Sequence, residues 1–360
     1  MTHTETYDLD EIRPHQPVHY AEQALLGALL LKPELLARTQ ELLSEHFADP
    51  AHSALYKAMR MLTPPPPETH EKEPVWVTAT LAMAVQEAPA LTVSYAHTLV
   101  GACPDPMHVG AYARMIRADD VRRTLREHAQ RLAQTANDRT LADPAAAVLE
   151  QGGLISRHLD EVATQWRAHT GSLPRTRVPI RPRQTGDEEA LDEERFFLST
   201  ATARPHTLKA LRSWIQPDDF TDLIHGQLYQ CLTALAHRGD AIDPVTVLWE
   251  AQYRGLLTHG RDPATIISMV SHPAGSPEHW AERIHQRSFL ARAQTTAFTI
   301  LAFTNDSANT PHQLITGARR AMSDFIEYGT RRRRAHSPPT LSRGPCSNQV
   351  RAAATRLKSP

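Results

Sequence analysis

The sequence predicts an all-α protein made of two related units, and three observations support this. Six helix starts are indicated by an acidic or hydroxyl residue that directly precedes a proline. This pair is typical of helix starts, because the side chain caps a free amide and proline lacks the amide that would be unpaired there. Alternating runs of β-branched residues, which would indicate strands, are scarce. A set of residues also recurs along the chain. The six starts are Asp49-Pro50, Asp143-Pro144, Asp243-Pro244, Asp262-Pro263, Ser276-Pro277 and Thr310-Pro311.

The recurrence indicates a duplicated unit. The matching residues fall into two sets, each with its own constant offset between the copies. The change of offset indicates a single length change, which falls where the first copy carries Pro64–Pro67. A helical period common to both copies is the alternative source of such a match. At an offset of 173, Phe47, His52, Leu55, Tyr56 and Leu62 correspond to Phe220, His225, Leu228, Tyr229 and Leu235. At an offset of 168, Thr78, Tyr112, Ala113 and Ile116 correspond to Thr246, Trp280, Ala281 and Ile284.

The first copy is predicted to form a compact helical head followed by a helical hairpin. Residues 20–31 are apolar on nearly every side, which is typical of a buried helix. The proline run 64–67 ends the helix that begins at Pro50. Two long helices joined by a short polar loop indicate an antiparallel pair. The predicted helices are 20–31, 33–43, 50–62, 78–87, 91–101, 107–136 and 144–167.

The second copy repeats this plan after a linker. Residues 171–188 are rich in proline and arginine, a composition with few packed contacts. We therefore expect unit 1 at 14–170, the linker at 171–188, unit 2 at 189–330 and a disordered basic tail at 331–360. The predicted helices of unit 2 are 189–202, 205–214, 221–237, 244–256, 263–271, 277–304 and 311–329.

Charge and cysteine content narrow the class of protein. The net charge is −1, and residues 331–360 carry eight basic and no acidic residues, which leaves −9 on residues 1–330. An acidic body argues against a broad surface for duplex DNA. Cys103, Cys231 and Cys346 are too far apart for a zinc knuckle or a disulfide framework. Neither a signal peptide nor a membrane span is recognisable, so we expect a cytoplasmic protein that does not bind membranes.

No motif in the sequence predicts catalysis. A phosphate loop of the type GxxxxGK[ST] is absent, and so is the alternation of strands and helices that would carry one. No nucleophile, base and orienting acid are brought together by spacing. Phe-x4-His-x3-Tyr occurs in both copies and indicates either a ligand pocket or, as the favoured interpretation, a core Phe, a His bonded to a turn carbonyl and a Tyr with its hydroxyl at the rim. We therefore expect no enzyme activity and no cofactor.

Charged side chains give equally modest signals. Glu22, Glu34, Glu41 and Glu45 are predicted to lie on a solvated helix face. His15 and His19 are four residues apart but precede the first helix, so no metal site is predicted. The basic run Arg331, Arg332, Arg333 and Arg334 either makes weak, sequence-independent contacts with nucleic acid or only keeps the tail in solution.

The hairpins are the best candidates for a working surface. A two-helix hairpin cannot cover all of its own apolar side, so the remainder indicates self-association or packing against the head. Candidate association residues are Tyr112 and Ile116 in unit 1, with Trp280 and Ile284 in unit 2. We expect fragments 1–170 and 187–330 to associate and aspartate at these positions to break the association, unless the residues belong to the cores of their own units.

The motifs together resemble the N-terminal domain of DnaB-type replicative helicases. Ala21-Glu-Gln-Ala-Leu-Leu-Gly27, His46-Phe47, His52-x-x-Leu-Tyr56 and the run from Cys103 to Leu125 carry the resemblance in the first copy. The second copy keeps Pro217–Phe220, His225, Leu228-Tyr229 and Asp243–Thr246 but lacks the Ala-Glu-Gln opening. The resemblance implies a helical bundle with a hairpin that pairs with neighbours into a collar and contacts primase or a loader. The family's motor is a separate domain that this sequence does not match.

Three functions follow as expectations. The first is a non-catalytic interaction module in DNA replication, which binds a replicative helicase or primase and associates through its own two units. The second is a degenerate or split helicase whose motor is encoded elsewhere. The third is a weak nucleic-acid-binding protein that acts through its basic tail.

Overall fold

The computed structural model describes residues 16–166, 173–178, 187–257 and 262–336. Every regular element in these ranges is helical, which confirms the all-α class. The chain divides into two compact units, the first within 1–182 and 290–325, the second within 183–289 and 326–360. Most of the expected linker and residues 337–360 of the expected tail lie outside the described residues. Within these ranges, no helix combines the length and apolarity that a membrane span requires.

The head of unit 1 is built around one buried helix, α1. Gly27 lies where α1 meets another helix, since a Cβ added there would be 2.0 Å from the carbonyl oxygen of Leu99. The close approach of the two backbones therefore requires glycine. The helices of this head are α1 (Pro17–Leu31), α2 (Pro50–Met61), α3 (Pro67–Lys72), α4 (Val75–Ala84), α5 (Val93–Gly101) and the first turns of α6 (Val109–Asn137).

Four helical segments form the rest of unit 1. They are the remainder of α6, α7 (Pro144–Gln165), residues 290–305 of α13 (Pro277–Asn305) and residues 311–325 of α14 (Pro311–His336). Gly152 allows α7 to approach α14, because a Cβ there would be 2.8 Å from Cε1 of Phe325. The hairpin of the first copy therefore packs against the hairpin of the second copy. Their buried apolar residues include Val121, Leu125, Leu132, Val148, Ile155, Leu159, Ala297, Ile300, Leu314, Ala318 and Met322.

Unit 2 has a second head with the same plan. Its core contains Phe197, Phe220, Leu228 and Tyr229, which are all buried. The start of α13 closes this core through Ala281 and Ile284. The remaining helices of the head are α8 (Glu188–Ala203), α9 (Leu208–Leu211), α10 (Leu223–Arg238), α11 (Pro244–Tyr253) and α12 (Pro263–Ser271).

The six predicted helix starts are all confirmed as helix caps. At Asp49, for example, the carboxylate accepts a hydrogen bond from the amide of Ala51 at 2.8 Å. Ser276 accepts through its hydroxyl from His279 at 3.1 Å. The side chains of the other four caps accept in the same way from amides of the following turn. These caps are Asp143, Asp243, Asp262 and Thr310.

Three helix predictions differ most from the structure, and the short helix α3 was not predicted. The helix expected at 33–43 is a 3₁₀ segment, Pro33–Thr39. The helix expected at 205–214 is a 3₁₀ turn followed by the short α9. The last helix, expected to end at 329, continues to His336. Arg331 stabilises this extension, since its guanidinium is 3.3 Å from the Asp219 carboxylate and stacks on the ring of Tyr328.

Candidate functional site

Glu22 on α1 connects two elements of the first head through a buried network. Its carboxylate is fully shielded from solvent, accepts from the amides of Ala48 at 2.5 Å and Asp49 at 3.4 Å, and lies 2.7 Å from Nδ1 of His52. The prediction of a solvated Glu22 was therefore wrong, although Glu34, Glu41 and Glu45 are exposed as expected. A carboxylate can be buried here because hydrogen bonds replace its hydration.

The second head repeats this network with Glu194. Its carboxylate accepts from the amides of Thr221 at 2.6 Å and Asp222 at 3.3 Å, and it is 2.8 Å from Nδ1 of His225. The second copy lacks the Ala-Glu-Gln opening in its sequence, but the structure places Glu194 in the role of Glu22. Sequence comparison missed Glu194 because it stands at an offset of 172 instead of 173, within Glu193-Glu-Arg instead of Ala21-Glu-Gln.

The repeated Phe-x4-His-x3-Tyr motif has mainly a structural role, as the favoured interpretation held. Phe47 and Phe220 are core residues. The histidines differ from the expectation, since each bonds a carboxylate instead of a turn carbonyl. Tyr56 also differs, because its hydroxyl is buried and donates toward Thr39 and Leu42 instead of lying at the rim.

One cluster in the first head has the side chains of a metal site, but both ring nitrogens of its buried histidine are already hydrogen-bonded. The ligand atoms of His19, Asp49 and His52 lie within 4.8 Å of one another. Both ring nitrogens of His52 are already occupied, Nδ1 by Glu22 and Nε2 by the hydroxyl of Tyr95 at 2.7 Å. A metal at this position would have to break the buried network, so the donor set does not fit an ion.

The four candidate association residues lie within or against the cores of the heads. Ile116 and Ile284 are fully buried in the cores of units 1 and 2 respectively. Tyr112 is partly buried against the first core, and its hydroxyl donates to the carbonyl of Asp105 at 3.4 Å. Trp280 stacks on Phe196, and its indole donates to the carbonyl of Ala274 at 2.6 Å. These contacts give each position a role inside its own unit.

The contact between the two hairpins includes hydrogen bonds from an arginine, Arg122, which is not among the predicted site residues. Arg122 on α6 donates to the carbonyls of Thr304 at 3.1 Å, Asp306 at 2.8 Å and Asn309 at 2.5 Å, at the end of α13. Arg126 adds a bond to Thr304 at 2.7 Å. The carbonyl of Thr304 is in the last turn of α13, so these cations pair a group that the helix end leaves free and oppose the partial negative charge there.

The basic run proposed for nucleic acid begins inside α14. Arg331 is engaged with Asp219 and Tyr328. Arg332, Arg333 and Arg334 belong to the last turns of the helix. The nucleic-acid role of this run stays a prediction, and for Arg331 it would require releasing the contact with Asp219.

Helix α11 presents the largest exposed aromatic side chains of unit 2 among the described residues. Val245, Trp249 and Tyr253 are spaced four residues apart, so they lie along one face of the helix. They are 64%, 56% and 73% exposed respectively. The rings of Trp249 and Tyr253 touch edge to face, with centroids 5.9 Å apart. Exposed tryptophan and tyrosine are the residue types that contribute most to protein interfaces.

Two heads with the same buried Glu–His network, each followed by a long hairpin, define a tandem helical module. Comparison with known proteins identifies its family. The model of the DnaB-like helicase N terminal domain matches residues 14–118 and again 187–286, together more than half of the chain. The chain belongs to this family, and the two matches confirm the duplication.

Two curated proteins are similar to parts of the chain. The replicative DNA helicase DnaC of Bacillus subtilis (strain 168) is 30% identical over 112 residues, which is 31% of this chain and 25% of that protein. The replicative DNA helicase DnaB of Geobacillus stearothermophilus is 33% identical over 157 residues, which is 42% of this chain and 32% of that protein. The chain therefore spans no more than about a third of either relative.

Proposed function

We propose that this chain is a non-catalytic interaction module of DNA replication that binds a replicative helicase or a primase. The observation that carries the proposal is the family match over both heads, since the matched domain is the N-terminal part of replicative helicases. The ionisable groups of the two heads support it. Glu22 and Glu194 are used in structural hydrogen bonds, which leaves neither of them free for acid–base chemistry.

We further propose that pairing within the chain replaces pairing between chains. The packing of one hairpin on the other supports this, because the apolar faces of α6 and α7 are covered by segments of α13 and α14. A chain with paired hairpins keeps its heads available for a different partner. Arg122 contributes specificity to the pairing, since it fits the arrangement of carbonyls at the end of α13.

Replacing Arg122 with alanine is expected to loosen this pairing. Charge-assisted hydrogen bonds each contribute about 1.5–3 kcal/mol, and we expect a loss of about 2–3 kcal/mol because water enters to replace part of them. Hydrogen exchange on the full chain should show faster exchange in residues 290–325. Arg131→Ala on the same helix is the control, since Arg131 forms only an exposed pair with Glu127, worth less than about 1 kcal/mol. Equal protection in Arg122→Ala and the wild type would contradict this role.

The exposed face of α11 is the surface that we propose for the partner. The immobilised full chain is expected to retain the purified replicative helicase or the primase of its source cell. The double variant Trp249→Ala, Tyr253→Ala is expected to weaken binding at least tenfold, since truncation of a central aromatic residue commonly costs about 2 kcal/mol or more. Met61→Ala, at an exposed apolar residue of unit 1, is the control and should bind normally.

The outcomes of this experiment separate the proposals. Retention of neither protein would overturn the proposed function. Retention that the double variant leaves unchanged would move the binding surface away from α11. The second candidate, a split helicase, has a separate test. It requires that the chain restore ATP hydrolysis or unwinding to a separately encoded motor.

A further inference from the structure

A pocket in unit 2 has no occupant assigned by the family match. It has a volume of about 440 Å³, which lies within the usual range for small-molecule sites. Its polar lining includes Arg212, Tyr229, Gln230, Thr233, His237 and Arg254. Arg212 precedes the 3₁₀ turn Pro217–Asp219, whereas Tyr229 and His237 lie on α10.

The duplicated unit shows how this pocket differs from its counterpart. In unit 1 the hydroxyl of Tyr56 is 3.0 Å from the carbonyl oxygen of Thr39 and 2.9 Å from its side-chain oxygen. At the same offset of 173, Tyr229 corresponds to Tyr56 and Arg212 corresponds to Thr39. The hydroxyl of Tyr229 is shielded from water and has no hydrogen-bond partner among the described residues.

A buried hydroxyl without a partner is costly, so a ligand that accepts a hydrogen bond from it would be favoured. Tyr229 is only 1% exposed, and it lines the pocket together with Arg212 and Ile215. Arg212 and Ile215 correspond to Thr39 and Leu42. The hydroxyl of Tyr56 donates to oxygens of Thr39 and Leu42. The change from Thr39 to Arg212 removes the side-chain oxygen that bonds the hydroxyl of Tyr56, and the hydroxyl of Tyr229 has no acceptor among the described residues.

The groups around the pocket are mainly hydrogen-bond donors. Burial raises the pKa of Tyr229 and Asp219 raises it further, which outweighs the lowering by Arg212, so the phenol stays protonated and can donate. Arg212 has no ion-pair partner among the described residues, whereas Arg254 shares the carboxylate of Glu250 with Arg238. Arg212 is therefore the cation left for a ligand.

We propose that this pocket binds a small oxyanion, a carboxylate or a phosphate group, between the Arg212 guanidinium and the Tyr229 hydroxyl. An oxyanion accepts from both donors at once, and a guanidinium fits either group through two parallel hydrogen bonds. The side-chain amide of Gln230 supplies a further donor at the wall, whereas the hydroxyl of Thr233 already donates to the carbonyl of Gln230. This binding is separate from the proposed replication partner, since it uses Arg212 after α9 and Tyr229 on α10 and not the exposed side chains of Trp249 and Tyr253.

Calorimetric titration of the full chain at low ionic strength tests the proposal, with inorganic phosphate in one arm and succinate in the other. One saturable site is expected in at least one arm, and the arms identify the preferred group. Arg212→Gln and Tyr229→Phe should each weaken binding at least fivefold. Arg204→Gln is the control, since this substitution removes the same charge. Arg204 is exposed in the same unit and does not line the pocket.

Two results would overturn the proposal. One is no saturable binding in either arm. The other is equal weakening by Arg204→Gln and Arg212→Gln, which would indicate general attraction to charge. The melting temperature without ligand gives a second test, because Tyr56→Phe loses its internal hydrogen bonds and should lower it, whereas Tyr229→Phe should not. An equal fall in both variants would mean that the Tyr229 hydroxyl is satisfied internally, which contradicts the proposal.

Discussion

Replacing Glu22 with alanine is expected to lower the free energy of unfolding of unit 1 by about 3–5 kcal/mol. The carboxylate is fully buried and accepts from the amides of Ala48 and Asp49 and from the ring of His52. Its removal leaves these donors without a partner in a site that water does not reach, and each such group carries its desolvation cost. Urea unfolding followed by circular dichroism measures the loss.

Matched variants separate this effect from a general loss of negative charge. Glu194→Ala should destabilise unit 2 to a similar extent, because Glu194 makes the same three contacts. Glu34→Ala removes an exposed carboxylate and should change stability by no more than about 0.5 kcal/mol. A loss below about 1 kcal/mol in Glu22→Ala would show that the network does not hold the head together.

Ile116→Asp is expected to unfold the head of unit 1. Ile116 is 0% exposed within the same core as Leu25, Leu55 and Leu99. The change removes a large apolar side chain, which alone costs about 2–5 kcal/mol, and it places an unpaired carboxylate in an apolar site. The sum approaches the whole stability of an ordinary domain, about 5–15 kcal/mol. Circular dichroism and hydrogen exchange of residues 16–118 report the result.

The neighbouring residue provides the control and decides between the two interpretations of this position. Met115→Asp changes the same helix at a side chain that is 56% exposed, and it should leave the head folded. A folded Ile116→Asp variant with rapid exchange only in residues 290–325 would instead support a direct role in association. The same pair of outcomes applies to Ile284 in the core of unit 2.

The sequence by itself determined most of the helices and their order. Helix starts depend on a capping residue and the proline after it, which are neighbours in the chain, so all six could be predicted and all six are confirmed. The duplication could also be found from spacing alone, since the core positions of both heads keep the same separations. The end of α14 could not be predicted, because Arg331 pairs with Asp219, which is 112 residues away in the chain.

Only the tertiary structure decided what the charged and polar side chains do. Glu22 looks like an exposed carboxylate in sequence, because nothing local shows that the amides of Ala48 and Asp49 will reach it. Arg122 is one of many arginines until α6 meets the end of α13. Tyr56 and Tyr229 are the same residue in the same motif, yet the hydroxyl of Tyr56 is bonded and that of Tyr229 has no partner within the described part of the chain. Hydrogen-bond partners distant in the chain determine each of these roles, and folding alone brings them together.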